Sequence, residues 1–138
     1  QVKVLGVRYI ILDHISILVS DQSNGDERKA IDEIMTKLRM FCQEMEICMF
    51  VVSHLRRPEG KGHEDGAVTS LGQLRGSASI AQLSDIVLGL ERNAQAEDQM
   101  VRNTTAVRVL KNRFSGMTGP ACSLLYNKET GRLTEMME

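Results

Sequence analysis

The length and composition of this 138-residue chain limit its class before any motif is considered. With 42% hydrophobic and 25% charged residues and a net charge of −1, it has the balance of an ordinary globular protein and no global basic field for nucleic acid. Its three cysteines, set in apolar runs, indicate thiols of a reducing compartment, and no apolar run has the length of a membrane helix. We therefore expect a cytoplasmic protein, and because the chain begins with Gln1 we expect a piece of a longer one.

The first half of the chain predicts a strand, a helix and a second strand. Residues 8–13 are rich in isoleucine and leucine, which predicts a strand buried on both faces. Apolar residues then recur at helical spacing over residues 31–45, which predicts an amphipathic helix that Asp26 caps. A second apolar strand follows at residues 47–53. This order predicts a crossover that makes the two strands parallel.

The second half begins with a long polar stretch, residues 54–70, whose glycines and lack of periodicity predict a functional or disordered loop. The segment LGQLRGSASIAQLSD becomes helical in its second half, with Ile80 and Leu83 on one face. Further apolar strands are predicted at residues 86–90, 106–110 and 122–126, with a polar loop at residues 91–103. An NKETG turn leads to a last strand around Leu133, which predicts an antiparallel hairpin at the edge of one compact α/β unit.

Polar side chains follow the first two predicted strands. Asp13 ends the first strand and His54 follows the second, and the carboxyl ends of adjacent parallel strands lie side by side. A carboxylate at that position can hold the waters of a nucleotide-bound Mg²⁺, and a polar side chain beside it can sense a γ-phosphate. The alternative is an ordinary strand end, since aspartate favours turns and histidine can bond a turn carbonyl.

Basic residues cluster in the polar loop and just beyond it. The loop positions are Arg56, Arg57, Lys61 and His63. The glycines and prolines among them predict a flexible basic segment for phosphate-backbone contacts, while its acidic residues leave a solvated loop as the alternative. Arg75 and Gly76 in LRGS precede a short helix, where free backbone N–H groups can meet phosphate and a residue without Cβ permits close approach.

Cationic and aromatic residues mark the ends of the later strands. Lys111 and Arg113 alternate with Asn112, so they can cap a sheet edge or neutralise a transition state in a neighbouring subunit. Arg92 and Tyr126 can close on a planar group from two sides by cation–π contact and stacking.

These motifs follow the order of a known family. The segments are ILDHIS, VVSHLRRPEGKG, LRGSASIAQLSD, LERN, VLKNRFSGMTG and YNKETG. Over residues 5–133 the chain resembles the RecA-like helicase domain of phage primase–helicases, with the mitochondrial Twinkle and bacterial DnaB helicases as more distant relatives. The resemblance implies an α/β fold with a RecA-like, mostly parallel sheet, flanking helices and a C-terminal β-hairpin. Residues 1–138 are then the C-terminal part of the ATPase domain, without its P-loop half.

The resemblance also implies a role for each candidate residue. Asp13 is then the Walker B aspartate that serves Mg²⁺, and His54 is the γ-phosphate sensor. Arg113 is the arginine finger that enters the neighbouring subunit's site, with Lys111 beside the phosphates. The implied base-binding pair is Arg92 and Tyr126, and the implied DNA contacts are Arg56, Arg57, Lys61, His63, Arg75 and Gly76.

The implied function is part of a replicative DNA helicase that couples NTP hydrolysis to translocation on single-stranded DNA and duplex unwinding. It would work as a homo-hexamer or ring with Mg²⁺ and ATP or dTTP, without a membrane partner. These 138 residues contain no G-x-x-x-x-G-K-[ST], so we expect the fragment alone not to hydrolyse ATP. The alternatives are a non-catalytic single-stranded DNA-binding or assembly module, a RecA/RadA-type recombinase or KaiC-like ATPase, and a plain structural domain.

Overall fold

The structure is a computed structural model that describes residues 1–19, 27–58, 60, 62–74 and 78–136. The chain divides into two compact units. The first, the parallel unit, comprises Gln1–Leu55 and Leu74–Ser84, and the second, the antiparallel unit, comprises Arg56–Gln73 and Asp85–Glu138. The sequence predicted a single unit.

The parallel unit contains the predicted strand, helix and strand. Its elements are α1 (Val2–Leu5), β1 (Tyr9–Leu12), a 3-10 turn (Ile15–Leu18), α2 (Glu27–Met45), β2 (Cys48–Val51) and α3 (Ser79–Leu83). The two strands pair in parallel, from Tyr9 opposite Cys48 to Leu12 opposite Val51, as the crossover predicts. The short helix α1 was not predicted, and the predicted cap Asp26 lies outside the described residues.

One side of this strand pair packs on the helices. The buried core consists of Ile15, Val19, Ala30, Ile31, Met35 and Ile80. Val51 packs against that core from β2, whereas Tyr9 and Ile11 of β1 are 73% and 75% exposed. The prediction that the first strand is buried on both faces is therefore wrong for the described residues. Successive side chains of a strand point to opposite faces, and the described elements cover only one of them.

The antiparallel unit is a four-stranded sheet in the order β3-β4-β5-β6. Its elements are a 3-10 turn (Leu71–Gln73), β3 (Ile86–Glu91), α4 (Gln99–Asn103), β4 (Thr104–Asn112), β5 (Gly119–Tyr126) and β6 (Leu133–Glu135). Tyr126 pairs with Leu133 at the end of the predicted hairpin. In the described part of the chain the expected parallel pairing joins β1 and β2, whereas β3 to β6 pair antiparallel with their neighbours.

The stretch predicted as a polar loop after β3 contains the helix α4. Asp98 starts this helix, since its Oδ1 accepts hydrogen bonds from the amides of Met100 at 2.7 Å and Val101 at 3.0 Å. Among the described residues, no helix combines the length and apolar character needed to cross a membrane.

Candidate nucleotide and DNA site

The ends of β1 and β2 lie next to each other, as the sequence predicted for Asp13 and His54. The amide of Ile15 donates to the carbonyl of Val52 at 3.0 Å, so the strand pairing continues past the last residue of each strand. His14, which follows the exposed Asp13, contacts His54 edge to face, with ring centroids 4.4 Å apart. The structure thus brings the two predicted strand-end positions to one edge of the parallel unit.

His14 contacts the predicted sensor His54, and the sequence reasoning did not assign it to the site. Its Nδ1 is buried and has no hydrogen-bond partner in the described part of the chain. The signal was available, because each of the two apolar strands is followed within three residues by a histidine, in LDH and VVSH. Two imidazoles in contact at a strand edge form a polar surface that an anionic ligand can approach.

Asp13 is the metal contact that the sequence predicts in the parallel unit. Within the described ranges, no group of three or more His, Cys, Asp or Glu side chains is placed to hold a metal. Asp13 is exposed at the end of β1. One exposed carboxylate fits Mg²⁺, which keeps several waters and takes other ligands from nucleotide phosphates.

Hydrogen bonds join the beginning of the described part of the predicted DNA loop to later residues of the chain. The amide of Arg56 donates to the carbonyl of Gln73 at 2.7 Å, and Nε2 of His63 lies 3.2 Å from the carbonyl oxygen of Arg56. Arg57 pairs with Glu64 at 3.8 Å, an exposed pair that contributes little to stability. Three further predicted DNA contacts, at Lys61, Arg75 and Gly76, lie outside the described residues.

A largely buried carboxylate, Glu91, anchors the returning half of this loop. Oε1 of Glu91, at the end of β3, accepts from the amide and the hydroxyl of Thr69, each at 2.8 Å, and from Nε of Arg108 at 2.7 Å. Burial alone would raise the pKa of Glu91, but the hydrogen bonds from Arg108 and Thr69 outweigh it and hold this pKa below its ordinary value. The hydrogen bond from Arg108 to Glu91 also raises the pKa of Arg108. We refer to Thr69, Glu91 and Arg108 as the clasp.

The predicted base-binding and finger residues lie in the antiparallel unit, where each has contacts of its own. Nε of Arg92 donates to the carbonyl of Arg102 at 2.6 Å. Nη1 of Arg113 lies 3.1 Å from Oδ1 of Asp85, so the predicted finger forms an ion pair within its own chain. Lys111 lies on β4 opposite Val87. Tyr126, the last residue of β5, is half-buried.

Solved structures define the class of this fold. The chain superposes with a TM-score of 0.76 and 25% identity on a DnaB-like replicative helicase studied with its primase interactions, covering 98% of this chain and 32% of that one. A second solved structure, of an isolated ATPase domain, gives the same score and identity over 98% of this chain and 47% of its own. The fold is that of RecA-like ATPase domains.

The sequence comparison then gives the family. The profile of the DnaB-like helicase C-terminal domain matches residues 1–135, and the chain belongs to that family. It is 48% identical to the DNA helicase/primase of Enterobacteria phage T3 over 94% of its own length and 22% of that protein. It is 26% identical to a probable plasmid replicative DNA helicase of Chlamydia psittaci over 96% of its own length and 28% of that protein. The chain therefore spans less than a third of these two relatives.

Proposed function

We propose that the intact protein is a ring-forming replicative DNA helicase that couples NTP hydrolysis to translocation on single-stranded DNA. The observation that carries this proposal is the 48% identity to the phage T3 DNA helicase/primase over 94% of the chain. The strand-end arrangement supports it independently, since Asp13 and His54 follow adjacent parallel strands and His14 contacts His54 at 4.4 Å.

The parallel unit contributes the residues that face the phosphates. When bound with ATP or dTTP, Mg²⁺ neutralises charge that develops on the transferred phosphoryl group. Asp13, at the end of β1, would hold the waters of that ion. His54 senses the γ-phosphate, and the edge contact with His14 keeps its ring oriented. Because His54 directly precedes the polar loop, its position reports the state of the nucleotide to the DNA contacts.

The antiparallel unit contributes the base contact and the finger. Arg92 and Tyr126 bind the nucleotide base, and Arg113 acts on the phosphates of a neighbouring subunit, with Lys111 beside them. Arg113 must exchange its partner Asp85, 3.1 Å away, for phosphate when it does so. The ion pair keeps Arg113 ordered until then, and breaking it costs little free energy, because exposed pairs contribute about 1 kcal/mol or less.

The polar loop contributes the grip on single-stranded DNA. Arg56 and Arg57 are exposed in the structure, as phosphate contacts require. We assign Lys61, His63, Arg75 and Gly76 to the same contact from their place in the sequence. Since the net charge of the chain is −1, this grip depends on the local cluster and not on a general positive field.

The test compares DNA-stimulated NTP hydrolysis by the intact protein with that of two variants. Asp13→Asn removes the proposed metal contact and should lower the stimulated rate by about 100-fold. Glu33→Gln removes an exposed carboxylate from α2 and should leave the rate unchanged. Equal rates for wild type and Asp13→Asn would contradict the proposed role. A wild type that binds single-stranded DNA without hydrolysis or a nucleotide effect would instead support the non-catalytic binding module.

A further inference from the structure

The clasp differs from an ordinary surface ion pair in its burial. The Glu91 side chain is 9% exposed and Thr69 is 3% exposed. A buried carboxylate is stable only when its lone pairs are satisfied, and removal of one partner leaves the others unpaired in a poorly hydrated site. The amide and hydroxyl of Thr69 provide two of those hydrogen bonds. The position of Thr69 is therefore tied to Glu91 far more tightly than an exposed loop contact would tie it.

The packing around the clasp shows that close approach is required. A Cβ added at Gly89, on β3, would lie 2.9 Å from Cβ of Thr69 and 3.3 Å from Cδ1 of Leu110. Real Cβ atoms do not approach neighbouring atoms at the first of these distances. Only glycine at residue 89 lets Thr69 reach Glu91, so the loop is seated directly on the backbone of β3.

The loop also follows the chain beyond Glu91. The amide of Ala94 donates to the carbonyl of Glu64 at 2.8 Å, and Asp65 forms an antiparallel bridge with Asn93. Residues 64–69 thus run beside residues 91–94, with the clasp at one end and the Asp65 bridge at the other. Arg92, the predicted base contact, lies between these two attachment points.

We propose that the clasp of Thr69, Glu91 and Arg108 is a positioning device that couples nucleotide binding at Arg92 to the grip of the loop on single-stranded DNA. Glu91 and Thr69 are positioning residues, since neither needs to touch DNA or nucleotide. Nucleotide held at Arg92 fixes the segment 91–94, and the clasp transmits that position to residues 64–69. This inference rests on the proposed function, because it presupposes that the loop binds DNA and that Arg92 binds nucleotide.

The experiment measures affinity of the intact protein for a fluorescent oligo-dT, with and without a non-hydrolysable NTP analogue. The ratio of the two dissociation constants reports the coupling, which should be about tenfold or more in the wild type. Thr69→Val removes the hydroxyl bond at constant volume and keeps the amide bond, and Glu91→Gln removes the charge. In both variants the ratio should fall about tenfold, whereas the nucleotide-free constant should change no more than about twofold.

The matched control is Glu129→Gln, which alters an exposed carboxylate in the turn after β5 and should leave the ratio unchanged. A purely stabilising role predicts a lower Tm and an equal change in both dissociation constants, which would overturn the coupling. If Glu91→Gln does not fold, Thr69→Val decides the question, since it keeps the ion pair. A wild type whose DNA affinity does not change with nucleotide would refute the proposed function itself. If nucleotide does change the DNA affinity of the wild type but Thr69→Val and Glu91→Gln behave like Glu129→Gln, only the coupling role of the clasp is refuted.

Discussion

Replacing Gly89 with alanine tests the seating of the loop on β3. The extended backbone of β3 suits alanine, so the cost arises from the neighbours of the new methyl group. That methyl would lie 2.9 Å from Cβ of Thr69, which forces Thr69 away from Glu91. Overpacking costs about 1–3 kcal/mol, and a weakened hydrogen bond to a charged group costs about 1.5–3 kcal/mol. We expect a local loss of about 3 kcal/mol, allowing for partial relaxation.

Amide hydrogen exchange in the intact protein measures this local free energy directly. A loss of about 3 kcal/mol should lower the protection of the Thr69 amide about 100-fold. Gly72→Ala is the matched control, because a Cβ at that position meets no atom within 4 Å. Oγ1 of Thr69 is the atom nearest to the added methyl group, and Thr69→Ala removes it, so Gly89→Ala should cost less in a Thr69→Ala background. Unchanged protection of Thr69 in Gly89→Ala would refute the close seating.

Three further substitutions test the energetics of the two units. The pKa of Glu91 is lowered in the folded state, so its contribution to stability is full above the ordinary glutamate pKa of about 4.3 and is lost as pH falls through the folded pKa. The difference in Tm between wild type and Glu91→Gln should therefore shrink below about pH 4.3, and a difference that grows there would contradict this sign. Asp98→Ala removes the cap of α4, which costs about 1 kcal/mol. Because Arg92 bonds a carbonyl of that helix, the variant should bind nucleotide about threefold more weakly in a calorimetric titration, and unchanged affinity would contradict this. His14→Ala removes an aromatic contact worth about 1 kcal/mol and should lower the rate of DNA-stimulated hydrolysis about threefold. His54→Ala should lower that rate further, and a larger loss for His14→Ala would reverse the assigned roles.

The sequence predicted the elements whose signals are local. The helix α2 is predicted because its apolar residues repeat at helical spacing over several turns, and its buried positions include Ile31 and Met35. The parallel pairing of β1 and β2 follows from the long helical crossover between them, which a parallel pair requires. The helix α4 was missed because it has five residues, too few for a periodic pattern.

The clasp could not be derived from local pattern, because Thr69 and Glu91 are 22 residues apart. Two signals nevertheless pointed to it. An arginine interrupts the apolar strand AVRVL at residue 108, and a cation in a half-buried strand needs a partner. A glycine interrupts IVLGLE at residue 89, which indicates close approach of another segment. Neither signal identifies Thr69 as the partner of Glu91, since many polar residues of the loop could have contacted β3.

We infer that neighbouring subunits share one hydrolytic site, with Asp13 from one copy and Arg113 from the next. We would mix equal amounts of intact Asp13→Asn and Arg113→Ala proteins under conditions in which subunits exchange, and measure DNA-stimulated NTP hydrolysis. Each variant alone should be nearly inactive. In mixed rings about a quarter of the interfaces would join an intact Asp13 to an intact Arg113, so the mixture should recover up to about a quarter of the wild-type rate. Mixed rings that form but stay as inactive as the separate variants, or an Arg113→Ala protein that is fully active alone, would contradict the account.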